Sequence, residues 1–149
     1  MAKYKITINE GTRLTEHFWL HEFFCNSCNE CYIDSIFIYT FVPLLEDFRS
    51  WYNRPINITS AYRPPEFNKK VGGSSNSAHL KAWAVDFPYP ADYKRWGKLR
   101  QNEFLTNVKT KWTELSHSYG VFAQCNFYDN RFHLGISTKN DNYLDYRTK

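Results

Sequence analysis

The chain has 149 residues, 42% hydrophobic and 19% aromatic, so it is long enough to bury one core, and we expect a single domain over residues 1–149. The formal net charge of +4 includes no block of like charges, which argues against a nucleic-acid-binding arm. A mild positive charge of this size is typical of an ordinary solvated protein surface. The functional interpretation is that the charge attracts the protein to an anionic surface.

No apolar run reaches the length of a signal peptide or of a membrane-spanning helix, so the sequence predicts no membrane insertion. We therefore expect a protein that is synthesised in the cytoplasm without a signal peptide. A substrate outside the cytoplasm would then require a separate route of delivery.

Three of the four cysteines stand close together. Cys25, Cys28 and Cys31 form a Cys-x-x-Cys-x-x-Cys run, and Cys125 or His21 is a candidate fourth ligand for a structural zinc ion. The run lacks the two-plus-two layout of common zinc sites, and reduced, partly buried thiols are the alternative interpretation. Disulfides are not expected in a chain without a secretion signal.

The first long helix is predicted over residues 34–52, where apolar side chains recur at helical spacing. Asp34 or Ser35 can cap its start. Pro43 is expected to kink this helix or divide it in two, and Asn53-Arg54-Pro55 is expected to end it.

The middle of the chain alternates short elements with loops. Residues 56–59 alternate like a short strand, and Pro64-Pro65-Glu66 is typical of a short helix start. Residues 72–77 predict a loop. A second long helix is predicted within residues 92–117, with an apolar stripe formed by Phe104, Val108, Trp112 and Leu115.

Three segments have the pattern of β-strands: residues 82–87, 120–128 and 131–137. One face of the first carries Ala82, Ala84 and Asp86, and one face of the third carries His133, Gly135 and Ser137. The opposite faces are bulky and apolar, which leaves room for a metal and a substrate on one side only. These segments predict an α+β fold, a small antiparallel β-sheet with helices packed on one face.

Two histidines and one carboxylate mark a candidate metal site. His79 precedes Asp86 by seven residues, and His133 lies in the last predicted strand. Two imidazoles and one carboxylate form a three-ligand set for a catalytic zinc ion and leave one coordination position for water. If the three side chains converge, the chain is a hydrolase.

The same residues stand in longer motifs. Ser77-x-His79-x-x-Ala82-x-Ala84-x-Asp86 resembles the S-x-H-x-x-G-x-A-x-D motif of the M15 zinc peptidases, which cut peptidoglycan as D-Ala-D-Ala carboxypeptidases or L-Ala-D-Glu endopeptidases. Residues 60–68, SAYRPPEFN, resemble the S-x-Y-R-x-P-x-x-N of this family, and Val71-Gly72-Gly73 resembles its V-G-G. The resemblance covers roughly residues 14–137 and extends to the compact domains of phages and small viruses.

The resemblance implies a zinc ion held by His79, Asp86 and His133. It also implies that Arg63 lies near the scissile amide or the substrate carboxylate, and that Ser77 contributes to substrate binding. The implied fold is the Hedgehog- and DD-peptidase-like form of the α+β class. The implied partner is bacterial peptidoglycan, cut in its stem peptides by a phage-type endolysin that reaches the cell wall after release or virion delivery. We expect a monomer that has no nucleic-acid partner.

The chain departs from the family motifs at three positions. Ala82 replaces a glycine, a change that a strand should tolerate. Gly135 stands where the family often has an aspartate after the last ligand. Asn130 stands where several members place an acidic general base, and a neutral amide cannot take that role. Asp129, one residue earlier, is the provisional base, although Asp-Asn between two strands is equally typical of a turn.

These departures support an alternative from a different functional class. The chain would then be a catalytically weak or inactive zinc-binding module that binds the cell wall or a protein partner. A third hypothesis is a nucleic-acid module organised by Cys25, Cys28 and Cys31. It is poor because basic residues do not cluster near those cysteines.

Overall fold

The structure is a computed structural model that describes residues 12–25, 30–73 and 77–139, together with the backbone of residues 3–6. The regular elements in chain order are β1 (Lys3–Ile6), β2 (Cys31–Asp34), a π-helical segment (Phe37–Phe41), α1 (Val42–Tyr52), α2 (Pro65–Lys70), β3 (Ala84–Pro88), α3 (Lys98–Ser118), β4 (Phe122–Phe127) and β5 (Arg131–Ser137). Short 3₁₀ turns lie at Leu20–Phe23, Ala78–Lys81 and Tyr93–Arg95.

The strands form two antiparallel sheets. β1 pairs with β2, and the larger sheet has the order β3-β5-β4, with β5 in the centre. This arrangement confirms the predicted α+β class with a small antiparallel sheet. The assignment of residues 1–149 to one domain stays a prediction.

The first helical run follows the sequence prediction closely. Asp34 ends β2, and its Oδ1 accepts the backbone N–H of Phe37 at 2.8 Å, which is the predicted capping role. The π-helical segment passes directly into α1 next to Pro43, so the helix changes from π to α geometry there but is not divided in two. Asn53 ends α1 in the left-handed region at φ 55°.

The core lies between the helices and one face of the larger sheet. In α3, Val108 and Trp112 are fully buried, and Phe104 and Leu115 are partly buried, which confirms the predicted apolar stripe. Trp112 packs edge-on against Phe48 of α1 and donates its indole N–H to the carbonyl of Gly135 at 2.9 Å.

In the described part of the chain, no helix combines the length and the apolar character needed to cross a membrane.

Two local predictions for the segments around β3 were wrong. Residues 56–59 form no strand; Ser60 makes only an isolated bridge to Asp86, because the chain then turns towards His79. Ala82 is not in β3 either. It follows the 3₁₀ turn in the left-handed conformation, at φ 60° and ψ 26°, and the strand begins at Ala84.

The register of the larger sheet brings the predicted polar faces together. Asp86 of β3 is the direct partner of His133, and Ala84 is the partner of Gly135. On the other side of β5, Gln124 of β4 pairs with Gly135. Because side chains alternate along each strand, all these residues lie on one face of the sheet, and Phe87 and Phe132 lie on the face that meets the helices.

Candidate metal centre

His79 is fixed by one hydrogen bond from its backbone and one from its ring. Its own N–H donates to the Ser77 side chain at 3.2 Å, which caps the 3₁₀ turn. Its Nδ1 lies 2.6 Å from the carbonyl oxygen of Ala61. Because a carbonyl only accepts, Nδ1 carries the proton and Nε2 carries a lone pair.

The lone pair of His79 points at the carboxylate of Asp86. The distance from His79 Nε2 to Asp86 Oδ1 is 3.3 Å, and the same oxygen lies 2.9 Å from His133 Nδ1. The three ligand atoms lie within 4.8 Å of one another, and all three residues are buried. The structure thus brings together the three residues that the spacing of the motifs predicted.

The donor set fits a divalent metal ion. Burial lowers the pKa of His79 to about 4 despite the opposing effect of Asp86, so the ring is neutral at pH 7. Its Nε2 is buried and has no hydrogen-bond partner among the described residues. A lone pair and a carboxylate oxygen therefore face each other with no proton between them, an arrangement that a cation would stabilise.

Asp86 stays ionised although it is 2% exposed. Burial alone would raise the pKa of Asp86, but the adjacent imidazoles of His133 and His79 outweigh burial and hold the pKa well below its usual range. Its second oxygen, Oδ2, lies 3.7 Å from Nε of Arg131. The Asp86 carboxylate thus lies close to both histidine ligands through Oδ1 and to the Arg131 guanidinium through Oδ2.

The upstream motif builds the wall beside this centre. The N–H of Arg63 donates to the carbonyl of His79 at 2.9 Å, and the buried Arg63 side chain donates from Nη1 to Asn68 Oδ1 at 3.0 Å. Gly73 passes so close that a Cβ atom there would lie 2.0 Å from Asn68 Oδ1 and 2.9 Å from Arg63 Nη1. The Arg, Asn and Gly of the motif therefore act as one packed unit that fixes the guanidinium.

A cleft of ≈ 250 Å³ opens beside Asp86, which is the one candidate metal ligand in its lining. It is lined by Thr59, Ser60, Arg63, Phe67, Val71, Asp86 and Arg131. Two of the lining side chains are cationic and one is anionic. A bound divalent cation would add two more positive charges, so the cleft suits a substrate that carries a carboxylate.

The structure places Ser77 next to His79 and Asp129 outside the group of three ligands. Ser77 is buried beneath the turn that carries His79, and its contact with substrate stays a prediction. Asp129 lies with Asn130 in the hairpin turn between β4 and β5, on a neighbouring depression formed by residues 127–131. Its role as a general base also stays a prediction.

The cysteines do not provide a second metal group in the part of the chain described by the structure, where His79, Asp86 and His133 form the one such group. Cys25, Cys31 and Cys125 are buried. Burial raises the pKa of both Cys31 and Cys125 to about 12, so these thiols are protonated at pH 7. Cys28 lies outside the described residues.

Sequence reasoning overlooked Arg131, although a signal for it was present. Arg131 lies two residues before His133 in a strand, so alternation puts it on the same face as the ligand. Its guanidinium packs over the ring of Tyr128 at 4.2 Å, which keeps it directed along the sheet towards Asp86. Asn68 was part of a recognised motif, but its bond to Arg63 was not foreseen.

Comparison with known proteins supports the family indicated by the motifs. The sequence profile described as Peptidase M15 matches residues 16–114, about two thirds of the chain. The matched region includes His79 and Asp86 but ends before β5, so His133 joins the site on structural grounds. No curated protein and no solved structure gives a significant match. A profile match of this extent, together with the geometry of the three ligands, shows that the chain belongs to the peptidase M15 family.

Proposed function

We propose that this chain is a zinc-dependent peptidase that hydrolyses peptide bonds in the stem peptides of bacterial peptidoglycan, in the manner of a phage-type endolysin. The observation that carries the proposal is the convergence of His79, Asp86 and His133, with ligand atoms within 4.8 Å, beside an open cleft. Membership of a peptidase family whose members are usually zinc-dependent supports the reaction class.

The chain's own residues prepare the site for a metal and an amide. His79 offers a neutral nitrogen because its other nitrogen is bound to Ala61, and Asp86 offers a carboxylate that stays ionised. A zinc ion held by His79, Asp86 and His133 would polarise the amide carbonyl and lower the pKa of its water towards ~7. The rigid Arg63 guanidinium would orient the substrate or stabilise the developing oxyanion.

Asp129 is the provisional general base in this proposal. A base that takes the proton of the attacking water typically contributes ~10²–10⁴-fold to the rate. We therefore expect Asp129→Asn to reduce the rate within that range if the hairpin turn approaches the bound substrate. An unchanged rate would restrict Asp129 to its place in the turn.

The test is digestion of purified peptidoglycan, with the fragments identified by mass spectrometry. The wild-type protein should contain about one zinc ion per chain and release new amine termini, and His133→Ala should do neither. His117→Ala is the matched control, since His117 is exposed near the end of α3. Cleavage that persists after zinc is removed would overturn the proposal.

Arg131 provides a sharper test of the substrate class. We expect Arg131→Gln to raise KM by about 10- to 100-fold for stem peptides with a free carboxylate, because a hydrogen bond between charged groups contributes ~1.5–3 kcal/mol. Amidated peptides should be affected much less. Arg100→Gln is the control, because Arg100 is exposed on α3 and packs on Trp96. Equal KM changes for both kinds of peptide would contradict carboxylate recognition by Arg131.

A second candidate function is a zinc-binding module with little or no catalysis. One observation favours it: Asp86, itself a candidate ligand, is the sole carboxylate among the described residues that line the cleft. Such a module would sediment with purified cell walls and would produce no new amine termini. Binding without cleavage, in a protein loaded with zinc, would favour this function over the peptidase.

A further inference from the structure

Gln124 is a buried polar residue in β4, an edge strand of the larger sheet. It lies in β4 on the same face as His133, and it is 1% exposed. A primary amide buried to this degree is costly unless it is hydrogen-bonded. The partner that its carbonyl oxygen meets is the ring of His133, where Gln124 Oε1 lies 3.5 Å from Nε2.

The two nitrogens of His133 face different groups. Nδ1 is directed at Asp86 Oδ1, at 2.9 Å, so it is the nitrogen that faces the other two candidate metal ligands. An imidazole that ligates a metal through Nδ1 keeps its proton on Nε2, and that N–H requires an acceptor. The amide oxygen of Gln124 is placed to be that acceptor.

Gly135 provides the space that Gln124 occupies. The two residues are direct partners across β4 and β5. A Cβ atom at position 135 would lie 2.8 Å from Gln124 Oε1, 2.9 Å from Ala84 Cβ and 3.1 Å from the carbonyl oxygen of Trp83. Any side chain at position 135 would therefore displace either the amide or the neighbouring strand.

We propose that Gln124 is a positioning residue that orients His133 for metal binding, and that Gly135 is kept without a side chain to admit it. The proposal rests on the metal site of the proposed function. The Gln124 amide accepts the Nε2–H proton, fixes the ring, and leaves the Nδ1 lone pair directed at the centre formed with His79 and Asp86. Gly135 stands where an aspartate was expected from the family motif, and the Gln124 amide lies in the space beside it.

The first experiment measures zinc affinity by competition with a chromophoric chelator. We expect Gln124→Leu to bind zinc about 10- to 100-fold more weakly than wild type, the usual cost of removing a partner of a metal-ligating histidine. Gln124→Glu should bind at least as well as wild type, because it keeps an acceptor at the same position. Gln101→Leu is the matched control, since the Gln101 amide donates to the carbonyl of Tyr93.

The second experiment needs no metal. In ¹⁵N-correlated NMR spectra of the metal-free proteins, Gln124→Leu should shift the Nε2 resonance of His133, and Gln101→Leu should leave it in place. A circular dichroism melt of each variant verifies that the fold is intact.

The outcomes separate this inference from the proposed function. Equal zinc affinity in wild type and Gln124→Leu, or an unchanged His133 Nε2 resonance, would overturn the role of Gln124 and leave the peptidase proposal standing. A wild-type protein that binds no zinc would overturn the metal site and, with it, both proposals.

Discussion

The two faces of the larger sheet are buried to a similar degree, but burial stabilises the residues of one face and costs free energy at the other. On the face towards the helices, Phe132 contacts the rings of Phe87 and Tyr89 at centroid distances of 4.9 and 4.6 Å. On the opposite face, the next residue, His133, meets Asp86 and Gln124. Consecutive residues of one strand therefore belong to opposite environments.

This difference separates stability from function within one element. Burial of aromatic surface stabilises the folded state, at roughly 25 cal/mol per Å² of apolar area. Burial of an imidazole costs free energy, and at His79 this cost exceeds what the neighbouring Asp86 offsets. We infer that packing of the aromatic face stabilises the fold and offsets the cost of burying the polar side chains on the opposite face. Those polar side chains are then positioned to bind a cation.

The largest effect is expected from Phe132→Ala. Loss of a buried aromatic side chain costs about 3–5 kcal/mol, a large part of the stability of a domain of this size. His133→Ala should cost the metal-free protein less and should abolish the rise in Tm that zinc produces in wild type. Urea unfolding and thermal melts, each with and without zinc, measure both quantities. A His133→Ala variant destabilised as much as Phe132→Ala would contradict the division between the faces.

The next effect is a loss of stability at mildly acidic pH. The pKa of His79 is about 4 in the folded protein and 6.5 when unperturbed. Between these values the unfolded chain binds a proton that the folded chain does not, so stability falls as the pH falls. The full loss is about 3 kcal/mol, of which about 2 kcal/mol should appear between pH 7 and pH 5.

Urea unfolding of the metal-free protein across this pH range measures the slope. His79→Gln should remove most of it, since glutamine does not titrate. Below pH 3.8, protonation of Asp86 in the unfolded state adds a further loss, because the folded-state pKa of that carboxyl is lowered. A His79→Gln variant with the wild-type slope would assign the pH dependence to other groups.

A smaller effect is expected at the wall that fixes Arg63. Gly73→Ala would place a methyl group 2.0 Å from Asn68 Oδ1, so Asn68 or the backbone must move. Overpacking of this kind costs about 1–3 kcal/mol, and the displaced guanidinium should lower kcat/KM for peptide cleavage. Gly97→Ala is the control: its added methyl meets no atom within 4 Å, and we expect a change below about 0.5 kcal/mol. Equal effects from both substitutions would contradict the packed unit around Arg63.

Much of the polar face could be predicted from the sequence because strand alternation is local. The assignment of His133 and Gly135 to one face of residues 131–137 needed no knowledge of neighbouring strands, and β5 confirms it. The spacing of His79 and Asp86 in a long motif was specific enough to predict that they meet. The long helices were predicted for the same reason, since their apolar residues recur at a fixed period.

What the sequence did not predict depends on pairing between distant segments. Gln124 reaches His133 only through the register of β4 and β5, which no local pattern specifies. Residues 56–59 have the alternation of a strand, yet Ser60 alone bridges to Asp86 because the segment then turns to hold His79. In both cases the hydrogen-bonding partner determined the outcome.

Ala82 is the clearest local error, and it yields the smallest predicted effect. At φ 60° an alanine is strained by ~1–2 kcal/mol, which glycine would relieve. Ala82→Gly also removes a buried methyl group worth about 0.8 kcal/mol and adds the entropic cost of glycine, about 0.5–1 kcal/mol, so we expect a net change of less than about 1 kcal/mol. Ala84→Gly, in the extended conformation of β3, loses a methyl group and adds the entropic cost of glycine, and should destabilise by about 1.5 kcal/mol. Urea unfolding distinguishes the two. If Ala82→Gly destabilised the protein as much as Ala84→Gly, backbone strain at position 82 would contribute nothing to the free energy of unfolding.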